Sequence, residues 1–177
     1  MKVCVYAICK NESQFVDRFM DSMSEADYVC VLDTGSSDDT VKKLRASGAI
    51  VGETVVSPWR FDTARNESLG LIPADADICC AIDLDEQFHP GWRAALERAW
   101  QPDTTRARYR YTWSFRPDGS EGMVFWADKI HKNGCYRWAS PVHETLSYTG
   151  EGAERFVDAA GVQLDHHPDE TKSRGQY

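Results

Sequence analysis

The stretch Ile78–Glu86, "ICCAIDLDE", decides how the rest of the sequence is read. It opens as an unbroken apolar run and ends with Asp83, Asp85 and Glu86, three carboxylates in four positions. Such a run suits a strand covered on both faces, as in a parallel sheet flanked by helices. On an extended strand Asp83 and Asp85 project to the same side. At about 7 Å and an effective dielectric of about 20, two ionised carboxylates repel by about 2 kcal/mol. Oxygen donors gathered against that repulsion suit a hard divalent cation, which binds carboxylates together with substrate phosphates. In open α/β sheets ligands sit beyond the carboxyl ends of the strands, where this cluster falls. A solvated acidic loop gives the same residues, so the motif alone is weak.

The same alternation of elements runs outward from this point. "VCVYAIC", residues 3–9, predicts a buried first strand, and "KNESQFVDRFMDSMSEA" a helix with Phe15, Phe19, Met20 and Met23 on one face. "YVCVL" predicts a second strand that stops at "DTGSSDDT", where Ser36 and Asp39 have the spacing of a capping box. The following helix, "DTVKKLRAS", ends at Gly48, and "AIVGETVV" reads as a third strand. "FDTARNESLGL" predicts a helix and "ICCAID" a fourth strand. In "PGWRAALERAW", Trp92, Ala95, Leu96, Ala99 and Trp100 follow the spacing of an amphipathic helix with Pro90 near its start. Beyond it the period changes. "ARYRYTWSF" sets Tyr109, Tyr111, Trp113 and Phe115 against Arg108 and Arg110, "RPDGSEG" turns, and "MVFWADKI" returns, which predicts a hairpin. The expectation is an α/β fold: one domain, 1–177, with a nucleotide-binding half (1–100) joined to a β-rich acceptor half (101–177).

Composition limits the function classes. The net charge of −8 over 177 residues argues against a nucleic-acid partner, whose phosphates are met by clustered Lys and Arg. A small anionic ligand stays open, because a bound cation reverses the local field. The six cysteines form no C-x-x-C pair and mostly lie in apolar runs, so they read as reduced core residues. The sequence has neither a secretion signal nor an apolar stretch of about 18 residues, so a soluble, cytoplasmic protein without a transmembrane segment is expected.

Other strand ends add polar groups to the same edge. Lys10, Asn11 and Glu12 follow the first strand, and Asp33 with Gly35, Ser36 and Ser37 follows the second. A carboxylate at Asp33 can hold a nucleobase N–H or ribose hydroxyls; turn and capping chemistry explains it equally. In "PVHETL" no second histidine follows His143-Glu144 at helical spacing, so this is no zinc-protease signature. Glu144 by itself reads as a structural partner of Arg137. The aromatics Trp113, Phe125, Trp126, Tyr136 and Trp138 suit either a sugar-stacking surface or the core.

Taken together, "VYAICKNES", "VCVLDTGSSDDT", "PWRFDTARNESL" and "AIDLDE" resemble, in order and spacing, the family 2 glycosyltransferases of GT-A fold. The likeness is to the subgroup with K-N-E, D-T-G-S, A-R-N and D-x-D-E motifs. It spans residues 3–90 and continues more loosely through "WASPVHETL" and "LDHHPDETKSRGQY". It implies a nucleotide-diphospho-sugar transferase fold with a mostly parallel, Rossmann-like central sheet. It also implies an inverting, hexosyltransferase-like reaction that uses Mn2+ or Mg2+. The donor would be a nucleoside-diphosphate sugar, UDP-linked, and the acceptor an unknown glycan, lipid-linked group or protein.

By that resemblance Lys10, Asn11, Glu12, Asp33, Arg65, Asn66 and Asp83 line the nucleotide-sugar pocket. Asp85 holds the metal with one of His166 and His167, which the sequence does not separate, and Glu144 is the base. Family members commonly continue into further helix, so the chain is expected to stop at Tyr177 within a helix. Two rival readings remain. One is a catalytically inactive nucleotide-sugar or glycan-binding module. The other is a haloacid-dehalogenase-type phosphatase, disfavoured because its D-x-D follows the first strand. A nucleotidyltransferase is disfavoured by the missing glycine-rich basic loop.

Overall fold

The computed structural model describes residues 1–169. The helix expected over the last residues of the chain lies outside them. The apolar runs form the middle of an eight-stranded sheet, and their burial explains their composition. β1 (Val3–Cys9) is buried along its whole length and pairs in parallel with both β2 (Tyr28–Asp33) and β4 (Ile78–Ala81). β3 (Ile50–Glu53) extends the sheet beyond β2 as a short parallel edge strand. The third strand is thus shorter than expected, and Val55 beyond it is exposed.

Successive side chains of β1 point to opposite faces, and each face is covered by different elements. Val3, Val5, Ala7 and Cys9 pack with Phe15, Val16, Phe19 and Met23 of the α1 region (Val16–Ser22), Leu44 of α2 (Thr40–Ala46), and Trp92 and Leu96 of α4 (Trp92–Ala99). Cys4 and Tyr6 face Tyr136 and Trp138 of β8 (Tyr136–Ala139) and Leu146 of β9 (Thr145–Tyr148), while Ile8 meets Ala64 of α3 (Phe61–Leu69). The cysteines are free thiols.

The remaining strands are β5 (Glu86–Phe88), β6 (Arg106–Thr112), β7 (Val124–Lys132) and β10 (Phe156–His166). The sheet runs β3-β2-β1-β4-β7-β6-β10-β5, and β8 and β9 form a separate antiparallel hairpin. β7 joins β4 and β6 antiparallel, β10 joins β6 in parallel, and β5 closes the far edge antiparallel to β10. One sheet therefore runs through both halves of the chain. The order reverses between β1 and β4, which creates a switch point at their carboxyl ends. Among the described residues no helix is long and apolar enough to cross a membrane.

Three local expectations change. Asp83 and Asp85 do not lie on a strand: β4 ends at Ala81, and the Glu86 N–H closes a turn on the Asp83 carbonyl at 3.0 Å. Nor does a capping box open α2. Ser36 donates to Asp33 instead, and Asp38 accepts the Thr40 N–H at 3.0 Å, because nearby carboxylates compete for these donors. The aromatics divide as well: Tyr136 and Trp138 belong to the core, whereas Trp113, Phe125 and Trp126 are exposed.

Candidate functional site

The turn after β4 is built from inside. Glu86 is 2% exposed; its carboxylate accepts the Asp83 N–H at 2.8 Å and the Tyr111 hydroxyl at 2.5 Å. Burial pushes this carboxyl above the usual range, with Lys129 opposing. Glu86 is therefore the internal pin of the turn and does not contribute to an exposed triad of acids. With that pin in place, Asp83 and Asp85 point to different partners.

Asp83 meets Arg65 of α3 at 2.7 Å and Lys129 of β7 at 3.7 Å. Burial alone would raise its carboxyl, but the two cations outweigh that and hold it below the ordinary value. The same guanidinium donates to Glu144 through Nε at 3.2 Å, and its plane lies over the Trp138 indole, 5.4 Å from the ring centroid. Arg65 is buried, and its Nη1 has no hydrogen-bond partner among the described residues. A single buried cation thus bridges the turn after β4 and the loop before β9.

Asp85 faces the other way. Its carboxylate lies 3.2 Å from His166 Nε2, at the end of β10. His166 Nδ1 lies 3.1 Å from the Trp113 carbonyl, an acceptor only, so Nδ1 carries the proton and Nε2 turns toward Asp85. Burial lowers the imidazole's affinity for a proton, but Asp85 outweighs it and the net shift is upward. An imidazole fixed through its far nitrogen to a backbone carbonyl is the usual second-sphere arrangement of a histidine ligand. The sequence did not separate the two histidines; in the structure only the His166 ring faces the Asp85 carboxylate. His167 touches Asp85 only through its backbone N–H, at 2.8 Å, and its ring stacks on Phe115 at 5.1 Å.

Among the described residues no three His, Cys, Asp or Glu side chains gather into a metal-holding group. The Asp85–His166 pair still suits Mn2+ or Mg2+. With Nε2 deprotonated it would offer one carboxylate and one imidazole nitrogen, and such ions keep several positions for water and phosphate oxygens.

The other expected donor-side residues are spent differently. Asp33 is 2% exposed and accepts from Gly35 N at 2.9 Å, Ser36 N at 2.8 Å and the Ser36 hydroxyl, so its carboxylate shapes its own loop. Asn11, at φ 53°, donates its N–H to the Ser36 hydroxyl (2.8 Å) and accepts the Ser37 N–H on its side chain (2.7 Å). The Glu12 N–H donates to Thr40 at 2.8 Å, and Lys10 is exposed beside this stitched edge. Asn66 turns to the backbone of Trp138, donating at 2.8 Å and accepting at 2.9 Å. The amide expected at the donor therefore holds β8. Two hollows of about 400 and 470 Å3 lie apart from this cluster, at the amino ends of the strands near Asp77 and Asp27.

No family model matches the sequence. Among solved structures, the fold matches glucosyl-3-phosphoglycerate synthase from Mycobacterium tuberculosis in three complexes. One holds Mn2+ and UDP-glucose, one Mg2+ and UDP, and one Mn2+, UDP and phosphoglyceric acid. In each the identity is 27%, the TM-score 0.51, and the match covers 62% of this chain and 43% of that one. The chain has the GT-A glycosyltransferase fold. It matches less than half the length of those solved GT-A enzymes.

Two residues of this cluster were missed in the sequence. Lys129 sits 3.7 Å from Asp83 and 3.8 Å from Glu86, and both acids outweigh its burial and raise its pKa. The available signal was a lone lysine inside the apolar strand "VFWADKI". Tyr111 was assigned to the hydrophobic side of the hairpin; its hydroxyl on Glu86 could not be read from alternation alone.

Proposed function

We propose that this chain is the nucleotide-sugar-binding and catalytic region of a metal-dependent, inverting glycosyltransferase using a UDP-linked sugar. The observation that carries the reading is the pair Asp85–His166, face to face at 3.2 Å beside the Arg65–Asp83–Glu144 bridge. It lies at the carboxyl edge of a sheet whose solved counterparts hold UDP with Mn2+ or Mg2+. Asp85 and His166 would hold the ion, which offsets the charge of the departing diphosphate. Lys10, Asn11, Glu12 and Asp33 would form the nucleotide side, with Asp33 acting through the loop it shapes. Residues 1–100 would then be chiefly the donor half and 101–177 the acceptor half.

In this reading an acceptor hydroxyl attacks the anomeric carbon from the face opposite the nucleotide. The new C–O bond forms as the bond to the β-phosphate oxygen breaks, UDP leaves, and the hydroxyl proton passes to Glu144. Arg65 orients Glu144 and keeps Asp83 anionic, and Lys129 adds positive charge at Asp83. Burial of that cluster strengthens each electrostatic contact. The acceptor is a hydroxyl-bearing molecule of unknown class.

The test is calorimetric titration of UDP with and without Mn2+. In Asp85→Ala, Mn2+-dependent affinity is expected to fall at least about 100-fold while the thermal unfolding midpoint stays near that of the unmodified protein. Unchanged Mn2+-dependent binding in that variant would sink the assignment.

A further inference from the structure

Glu144 stands at the end of the loop that closes the β8–β9 hairpin, just beyond the Ala139–Thr145 pair. Ser140 and His143 both adopt left-handed backbone, at φ 79° and 56°, a region that side-chain-bearing residues seldom occupy. Each such residue costs about 1 kcal/mol or more and persists only where its surroundings impose it. Here the hairpin pairing ends at Ala139–Thr145, and α3 holds the segment beyond it. Asn66 grips both backbone groups of Trp138, at 2.8 and 2.9 Å. The Phe61 N–H, in the first turn of α3, donates to the Pro141 carbonyl at 3.0 Å. Arg65 then meets Glu144 at 3.2 Å. Residues 138, 141 and 144 are thus attached at regular intervals to residues 66, 61 and 65 of α3. The Trp138 indole is anchored underneath by the Tyr6 hydroxyl at 3.0 Å.

Of these attachments, Asn66 alone uses both a donor and an acceptor, and it acts where the strand enters the loop. An amide set this way mimics a neighbouring strand and fixes both the height and the direction of the backbone it holds. We propose that Asn66 is a positioning residue: by clamping Trp138 at the end of β8 it sets the loop 140–144 so that Glu144 rests on Arg65 beside Asp83. This rests on the reading of Glu144 as the base. Asn66 touches no reacting atom in this scheme. Its contribution is the alignment of a carboxylate, and misplacement of such a group by about 1 Å can cost about 100-fold in rate.

The experiment compares the unmodified chain with Asn66→Ala and Asn66→Asp, using UDP-glucose with Mn2+ and water as the acceptor. UDP calorimetry counts binding-competent molecules, so turnover is expressed per molecule that binds and is insensitive to a misfolded fraction. Turnover in Asn66→Ala is expected to fall about 10- to 100-fold, with KM for UDP-glucose and Mn2+-dependent UDP affinity within about threefold. Amide exchange at Trp138 should accelerate in the same variant. Asn66→Asp keeps the acceptor for the Trp138 N–H but sets a carboxylate against the Trp138 carbonyl. It should show the same split, and it supplies the readout if Asn66→Ala does not fold. A folded variant with unchanged turnover per binding molecule, or with Trp138 exchange unaltered, overturns the proposal. Failure of the functional reading shows separately, as absent Mn2+-dependent UDP binding and absent hydrolysis in the unmodified protein, and the positioning role falls with it.

Discussion

Two regions of the same sheet edge use polar side chains in opposite ways. At the ends of β1 and β2, Asp33, Ser36, Asn11 and Thr40 hydrogen-bond to one another and to nearby N–H groups, with partners no more than 28 residues apart. Around the turn after β4 the contacts join charged groups far apart in sequence: Arg65 with Glu144 across 79 residues, and Asp85 with His166 across 81. The first region is a satisfied scaffold. The second concentrates charge that is compensated only across elements, and a ligand or cation can exchange into such pairs. Polar composition alone does not distinguish a scaffold from a reactive cluster; the distribution of partners does.

The sharpest way to break the contrast is to remove the bridging cation. Arg65→Ala takes the guanidinium from Glu144 and leaves Asp83 with Lys129 alone at 3.7 Å, and loss of one partner in a buried pair costs about 3–5 kcal/mol. Urea denaturation at neutral pH should register a loss of that order. A loss below about 1 kcal/mol would show that the bridge behaves like an exposed surface pair.

A second probe is acid, which acts beneath the bridged region. The Trp138 indole N–H donates to the Tyr6 hydroxyl at 3.0 Å; that hydroxyl lies 2.8 Å from His131 Nε2, and His131 Nδ1 lies 3.0 Å from the Lys132 carbonyl. The carbonyl only accepts, so Nδ1 carries the proton and Nε2 receives the Tyr6 hydroxyl, which makes the imidazole neutral. Burial, helped by Arg106 and opposed by the Lys132 carbonyl, lowers this imidazole's pKa to about 4. The unfolded chain takes up a proton near pH 6.5, whereas the folded chain does so only near pH 4. Stability is therefore full above about 6.5 and falls as pH drops toward 4, by about 3 kcal/mol from this group. His131→Gln, which can keep both hydrogen bonds, should flatten that part of the stability–pH curve. An unchanged slope would remove His131 as its source.

The smallest effect is expected in the stitched region. Ser36→Ala deletes one of the donors to Asp33 and the acceptor of the Asn11 N–H, while the Gly35 and Ser36 N–H groups still hold the carboxylate. A loss of about 1 kcal/mol is expected in urea denaturation, without a change in Mn2+-dependent UDP affinity larger than a few-fold. A large binding defect here would mean that the scaffold and the charged cluster are coupled.

Much of this was legible in advance for a physical reason: periodicity and burial are local. The apolar runs at 3–9, 28–32 and 78–81 became the parallel strands, and the spacing from Trp92 to Trp100 became α4. The concentration of Asp, His and Glu at strand ends was visible too. The use of each group was not. Glu86 reads as a third exposed acid until Tyr111 and the Asp83 N–H are found on it. Asn66 reads as a ligand amide until the Trp138 backbone occupies it.

The amino-acid order by itself determined the strand–helix sequence, the buried character of β1 and β4, and the acids and imidazoles that end up at one sheet edge. Tertiary structure decided which of them meet. β10 lies antiparallel to β5 with His166 opposite Glu86, which brings the His166 ring to Asp85 and leaves His167 to Phe115. Side chains alternate along a strand, so a slip of one residue in that register would exchange the two histidines. Register is set by the packing of the whole sheet, and no local stretch of sequence contains it.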